Sequence, residues 1–414
     1  MKNIRFILFY SERFGLFSGG KKSRTAAWVA LIGITLSVFT MLLTLAIVSG
    51  FKDNITERVL AYDSPLYVRP TNHYNQTITL IRDDSISDIV KKLIPEAKVN
   101  PVFQVPALLK SDEDFATLIL RTLPDREKQN FFKESILKGD FRDDSINGVI
   151  LSSETMKALK IDTLQKLDVL FYTDSGLKLR RIDVIGIFDT KFKDYDGRIG
   201  FITRSTLESL LKFGQTVSTK IEVEPSHFNF KELPRQAKEL YKELTIKTYE
   251  GKLLDNYEVG NLSTDAASYF AWLSLLDTNV IILIVLMSII VIFTLISSTT
   301  VIIIDRISQI GLLKSIGCSN STLQKIFILE SSRLLFIGII AASLITIFFV
   351  CFQNSFHFLK LDATVYYLSF VPMRLSFMNF LIVDLGTLVL CILCMIMPVK
   401  IISRIAPGSV LKFH

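Results

Sequence analysis

The apolar residues of this chain gather into four long runs from which charged side chains are nearly absent. Ala26 to Phe51 carries no charge, Val280 to Ile304 carries none, and a third uncharged run goes from Leu334 to Phe352. The fourth, Phe377 to Val399, has Asp384 as its one charge. At ~1.5 Å rise per residue, roughly 20 such residues in a helix cross a ~30 Å hydrocarbon core. The pattern predicts transmembrane helices over 26–51, 273–304, 326–352 and 377–399. Between the first two, residues 52–272 mix charge and apolarity with no comparable run, which predicts one large domain inserted there.

Inside that domain the apolar period changes. Val149–Leu151, Asp168–Tyr172, Arg181–Phe188, Ile199–Ile202 and Lys220–Val223 have the short, β-branched character of strands. Ser152-Ser153-Glu154 opens an amphipathic turn to Lys160, and Ser205–Leu211 and Lys231–Leu244 continue in helical register. The flanks, 65–106 and 245–261, are expected to form a second lobe. The fold class is therefore membrane α-helical, four spans with an α+β domain inserted between the first and second. Thr264 to Asp277 and the stretch after Phe51 also keep helical spacing. Both a rigid stalk and an ordinary surface helix fit that pattern.

Charge then sets the orientation. The segment 1–25 carries Lys2, Arg5, Arg13, Lys21, Lys22 and Arg24 against Glu12. The loop 305–325 carries Arg306, Lys314 and Lys325 against Asp305, and the tail 400–414 carries Lys400, Arg404 and Lys412 with no acid. The 353–376 loop holds only Lys360 and Arg374 against Asp362. Basic residues near helix ends stay cytoplasmic, so both termini and 305–325 face the cytoplasm and the large domain faces outward. This bias accounts for most of the net charge of +7 and points to topology and lipid contact, not nucleic acid. The first run is long and lacks an A-x-A cleavage pattern, so it reads as a retained anchor. Cys318, Cys351, Cys391 and Cys394 all fall in the membrane or cytoplasmic segments, which leaves the inserted domain to an ordinary core.

Candidate chemistry is sparse. Gly15 to Lys22 begins like a phosphate-binding loop, but Lys22 stands where the magnesium-binding hydroxyl belongs and a membrane span follows. Ser-x-x-Lys occurs at Ser135, Ser175 and Ser209 without companion signatures, and His73, His227, His357 and His414 lack metal-ligand spacing. Asp384 is the one acid read inside a run. No catalytic residue, metal site or bound cofactor is expected of this chain.

The loop after the second run is the informative segment. Ile307, Ile310 and Leu313 recur every three residues beside Leu312 and Ile316, a stripe that would lie on the membrane face or dock in a partner's groove. Gly317 suits a left-handed helix end, and Ser319 or Ser321 can start the next helix. The run Gln309-Ile-Gly-Leu-Leu-Lys-Ser-Ile-Gly317 resembles the E-I-x-x-L-R-x-x-G coupling helix of type VII ABC transporter permeases, the MacB/FtsX/LolC-LolE superfamily. Ile32-Gly-Ile-Thr-Leu-Ser37 with Ser49-Gly50-Phe51 is similar to the first span of its lipoprotein-releasing members. Gly139-Asp-Phe141, Ile150–Ser153, Gly186-Ile-Phe188 with Tyr195-Asp196, and the close from Met397-Pro398 to Phe413 extend the likeness over nearly the whole chain.

The resemblance implies a permease that is not itself an enzyme. A separate LolD-like ATPase subunit would hold ATP and magnesium and grip Arg306, Ile307, Gln309, Ile310, Leu312, Leu313, Lys314, Ile316 and Gly317. A second permease, copy or paralogue, would pair with this one in the inner membrane. Lipoprotein acyl chains would enter along Ile32, Leu36, Phe39, Thr40, Leu43 and Ile47 and pass to a periplasmic LolA-like carrier. MacB-like export of peptides or toxins and FtsX-like control of cell-wall hydrolases are the alternatives. Two features depart from the family: Gln309 replaces its usual acid, and only Thr173 to Leu179 separates the strands that elsewhere bear a long carrier-recruiting hairpin.

Overall fold

The computed structural model describes residues 21–404 apart from 72–80, 112–113, 124–125, 140–147, 174–175, 212–216, 228, 254, 363–365 and 367. The phosphate-loop lookalike up to Gly20, the Asp140-Phe141 pair, His73, His414 and the tail from Ile405 lie outside the described residues. The chain divides into two compact units. One comprises residues 1–53, 273–360 and 370–414; the other comprises 54–272 with 361–369.

Six helices matter to the first unit: α1 (Lys21–Tyr62), α2 (Ala267–Asp305), α3 (Ile307–Ser315), α4 (Asn320–Phe356), α5 (Phe377–Val399) and α6 (Ile401–Arg404). Four helices, Ser23–Tyr62, Ala267–Asp305, Asn320–Phe356 and Phe377–Ser403, are long and apolar enough to cross a membrane. Each extends beyond the uncharged run that seeds it. Their interior holds Ile34, Val38, Met41, Leu295, Leu335, Ile339, Ala342 and Met395, while Leu286, Phe293, Phe348 and Leu393 are turned outward. Lipid tails are as apolar as leucine, so helices in a bilayer associate through close packing of small residues and through interhelical hydrogen bonds. Both devices are present. A Cβ on Gly338 would meet Ile34 at 2.8 Å and one on Gly33 would meet Thr294 at 3.0 Å. Ser298 Oγ donates to the Ala26 carbonyl at 3.1 Å, and the Thr299 and Ser331 hydroxyls lie 3.2 Å apart.

The second unit contains thirteen described strands. They are β1 (Leu66–Pro70), β2 (Ile81–Arg82), β3 (Lys98–Val102), β4 (Gln104–Lys110), β5 (Phe115–Thr122), β6 (Ile136–Gly139), β7 (Val149–Ser152), β8 (Lys166–Thr173), β9 (Gly176–Phe188), β10 (Ile199–Ile202), β11 (Val217–Ser218), β12 (Lys220–Glu224) and β13 (Tyr257–Asn261). A sheet in the order β13-β1-β12-β3 is antiparallel throughout. A second sheet, β6-β9-β7-β10-β5-β4-β8, closes into a ring because the first half of the long β9 also pairs with β8. Its core holds Val105, Leu109, Leu120, Leu151, Val169, Phe171 and Val184. Ser152 caps the following helix, Ser153–Ala158, by accepting from Thr155 N.

The five strands expected from the sequence all form, and the flanks do supply β1, β3 and β13 to a separate sheet. That sheet also takes β12, although Lys220–Val223 lies outside both flanks in sequence. Strands β3 and β4 are not legible from the pattern because Pro101 and Pro106 interrupt it. Both prolines sit where the ladder needs no donor. Pro101 lies on an edge strand, and Pro106 precedes the stretch of β4 that pairs with β8.

Candidate coupling helix and membrane-facing site

The α2–α4 connection forms as the sequence dictates at both ends. Gly317 takes φ +94°, a conformation that a side chain would strain, and Gly317 N and Cys318 N donate to the carbonyls of Lys314 and Leu313, each at 3.0 Å. Ser319 caps α4, its Oγ accepting from Thr322 N at 3.2 Å.

Which face of α3 is available differs from the expectation. Arg306, the N-cap, is buried, as are Ile310 and Gly311, while Ile307 and Leu313 are partly covered. The stripe at Ile307, Ile310 and Leu313 is therefore turned onto the chain's own helices, where Ile310 and Leu313 join the membrane core. Lys314 is also occupied, its Nζ donating to the carbonyl of Ile402 on α6 at 2.6 Å. The face left open runs through Gln309, Leu312 and Ile316, the last two 58% and 77% exposed. Gln309 is neutral, so this face offers apolar contact and hydrogen bonds rather than an ion pair.

Helix α1 divides the six residues assigned to acyl chains. Ile32 and Leu36 are 61% and 62% exposed and share an open strip with Val29. Thr40 is half-buried, its hydroxyl donating to its own helix at Leu36 O, so the strip keeps no unsatisfied polar group there. Leu43 and Ile47 lean on a small cluster of Ala46, Val350 and Met373. Phe39 is turned to α4, edge-on to Phe349 with ring centres 6.0 Å apart, and Ser37 is buried. The six residues thus do not form one surface. Helix α2 supplies an opposing wall that the periodicity does not reveal: a cleft of ≈820 Å³ is lined by Thr25, Val29 and Ala30 of α1 with Phe293, Ser297 and Val301 of α2.

A second acid lies among the apolar helices. Glu330 on α4 is 2% exposed and falls within the expected third span, so Asp384 is not alone. Asp384 accepts from Ser343 Oγ at 3.0 Å, which ties α5 to α4. Cys391 and Cys394 follow one another along α5 as part of the helix packing.

In the other unit, the last turns of α1 are set into a buried polar network. Tyr62 Oη donates to Asp196 and lies 2.9 Å from Thr190 Oγ1, which donates to the same carboxylate at 2.7 Å. Arg58 donates to the Thr190 carbonyl and Arg121 to that of Tyr62. Arg121 also pairs with Glu222 at 2.9 Å, both side chains being almost fully buried. Burial pushes the Glu222 carboxyl up, but the charges of Arg121, Lys220 and Lys128 outweigh it and hold it at about 2. Burial raises Asp196, only partly opposed by its hydrogen bonds from Tyr62 and Thr190. Among the described residues no group of His, Cys, Asp and Glu is placed to hold a metal ion.

Two family models match the chain in two separate regions. Residues 27–229 match the MacB-like periplasmic core domain, and residues 281–407 match the FtsX-like permease C-terminal domain. The chain is 20% identical over 410 residues to the lipoprotein-releasing system transmembrane protein LolC of Xylella fastidiosa, covering 93% of each. It is 21% identical over 426 residues to the corresponding LolE of Haemophilus influenzae, covering 96% of this chain and 97% of that protein. The periplasmic region of MacB from Actinobacillus actinomycetemcomitans aligns at 14% identity with a TM-score of 0.30, covering 49% of this chain and 91% of that one.

Proposed function

This chain is a permease of the MacB/FtsX/LolC-LolE superfamily, carrying both of its domains, and from that premise we propose that it extracts lipoproteins from the outer leaflet of an inner membrane. The observation that carries the proposal is the end-to-end alignment with LolC, which includes both the membrane helices and the inserted domain. In this reading a separate ATPase subunit, with its ATP and magnesium, docks on the open face of α3 at Gln309, Leu312 and Ile316. Both termini and that helix lie on the cytoplasmic side. The stroke passes along α1 and α2, each of which is one unbroken helix entering the inserted domain's unit. Arg58 and Tyr62 give α1 a firm hold there.

The cargo explains the need for ATP. Each buried CH₂ holds an acyl chain in the bilayer by ~0.8 kcal/mol, so a lipoprotein with several chains does not leave unaided at a useful rate. Ile32 and Leu36 are the strip along which such chains first meet this subunit, facing a second permease, copy or paralogue. A periplasmic carrier takes the product. Strands β8 and β9 stay paired as far as Thr173 and Gly176, so only two residues separate them, and carrier contact uses another surface of this protein or its partner.

Depletion of the protein followed by membrane fractionation tests the reading. Newly made outer-membrane lipoproteins are expected to accumulate in the inner membrane. Normal sorting would overturn lipoprotein release. Loss of peptide or toxin export would then favour a MacB-like exporter, and failed septal wall cleavage an FtsX-like regulator.

A further inference from the structure

At the end of the membrane runs remote from α3, a polar cleft of ≈550 Å³ opens between the last membrane turn of α1 and the start of α5. Its charged walls are Lys52, Asp53 and Arg374, with the hydroxyls of Ser49 and Ser376 between them and Phe377 at the rim. Lys52 pairs with Asp277 at 2.7 Å, and Arg374 pairs with Asp53. The four groups thus make two ion pairs that are neutral together; Lys52, Asp53 and Arg374 line the cleft, and Asp277 is joined to it through Lys52. All four remain between 37% and 66% exposed, so each has capacity for another partner.

The cleft is built rather than incidental. The segment before α5 is strapped to α1 by Arg374 N donating to the Ala46 carbonyl at 2.9 Å. Asn379 Nδ2 donates to Ser49 Oγ at 3.1 Å. Gly50 lets the two backbones approach so closely that a Cβ there would sit 2.6 Å from the Pro372 carbonyl oxygen. Phe51 closes the first uncharged run and Phe377, 83% exposed, opens the last, which puts the quartet at headgroup depth.

We propose that this cleft binds the headgroup of a zwitterionic aminophospholipid. Lys52 and Arg374 would take its phosphate through charge-assisted hydrogen bonds, and Asp53 and Asp277 its primary ammonium. A neutral quartet gives no net field to favour an anionic lipid. A zwitterion brings one charge of each sign, so cations and carboxylates both gain a partner and the occupied site stays neutral, whereas a lone phosphate serves the cations alone and leaves the site net negative. A choline headgroup, with no N–H to donate, matches the carboxylates less well. The site is independent of the cargo assigned above.

The test is native mass spectrometry of the full-length protein released from bilayers of equal phosphatidylethanolamine, phosphatidylcholine and phosphatidylglycerol. The unaltered chain is expected to retain one phosphatidylethanolamine over either other lipid by about tenfold, the scale of one charge-assisted contact. Lys52→Gln with Arg374→Gln is expected to abolish that preference. Asp53→Asn with Asp277→Asn leaves the cations alone and is expected to reverse it toward phosphatidylglycerol, a gain that misfolding does not mimic. Equal retention of the three lipids by the unaltered chain, or a preference for phosphatidylethanolamine that survives the Asn pair, overturns the site.

Discussion

The two units of this protein are held together by different devices. The membrane unit is held by close approach, with Gly338 against Ile34, Gly33 against Thr294, and single hydroxyls donating across helices. The inserted domain adds a buried network of paired charge, with Arg121 and Glu222 nearly inaccessible beside Tyr62, Thr190 and Asp196. The difference follows from the solvent each unit leaves on folding. In lipid, apolar burial drives little, so shape complementarity decides the packing. In water, apolar burial supplies the drive and can carry the desolvation of a few charges, provided that each is paired.

Removing one side of the buried pair breaks the comparison most severely. Arg121→Met leaves Glu222 with only Lys220 at 3.4 Å and Lys128 at 3.7 Å, and should destabilise the inserted domain by roughly 3 kcal/mol. Proteolysis of the intact protein, read by fragment pattern, should show cleavage confined to residues 54–272. Protection equal to that of the unaltered chain would contradict this. Gly338→Leu attacks the other unit by overpacking against Ile34 and should cost about 1–3 kcal/mol, with loss of monodisperse protein in detergent.

Acidification separates the units without mutation. Glu222 has a folded pKa of about 2, below its ordinary value of about 4.3 when unfolded. Its stabilising contribution is therefore complete above that unfolded value and is lost as pH falls toward 2. Asp196, raised by burial, acts in the opposite sense: its contribution is present at low pH and is lost as pH rises through its folded pKa. Glu222→Gln should flatten the acid limb of inserted-domain unfolding followed by hydrogen exchange. An unchanged limb would remove Glu222 from that account.

Two smaller effects sharpen the division at α3 and within the bundle. Leu312→Asp, on the open face, should reduce recovery of an associated ATPase about tenfold, or 1.4 kcal/mol, while thermal stability stays unchanged. Leu313→Asp should lower stability as well, because Leu313 packs against the membrane core; equal behaviour of the two would reject the assigned faces. Thr299→Ala removes one interhelical hydroxyl and should cost only about 0.6 kcal/mol in bilayer unfolding.

The sequence by itself determined the four spans, because uncharged length is sufficient to cross a bilayer and needs no tertiary partner to be recognised. It also determined the ends of α3 and α4, since Gly317 and Ser319 act through their own backbone geometry and one local hydrogen bond. The strands from Val149 to Val223 were legible for the same local reason. Only the tertiary structure decided which side of α3 is open, because Ile307, Ile310, Leu312 and Ile316 are equally apolar and the helices they meet come from distant sequence. It alone separated Ile32 and Leu36 from Phe39 on α1, and it alone assembled the network of Tyr62, Arg121, Asp196 and Glu222. Periodicity reports how a helix or strand is divided into faces. Which face is buried depends on neighbours tens to hundreds of residues away, and that information resides in the packing.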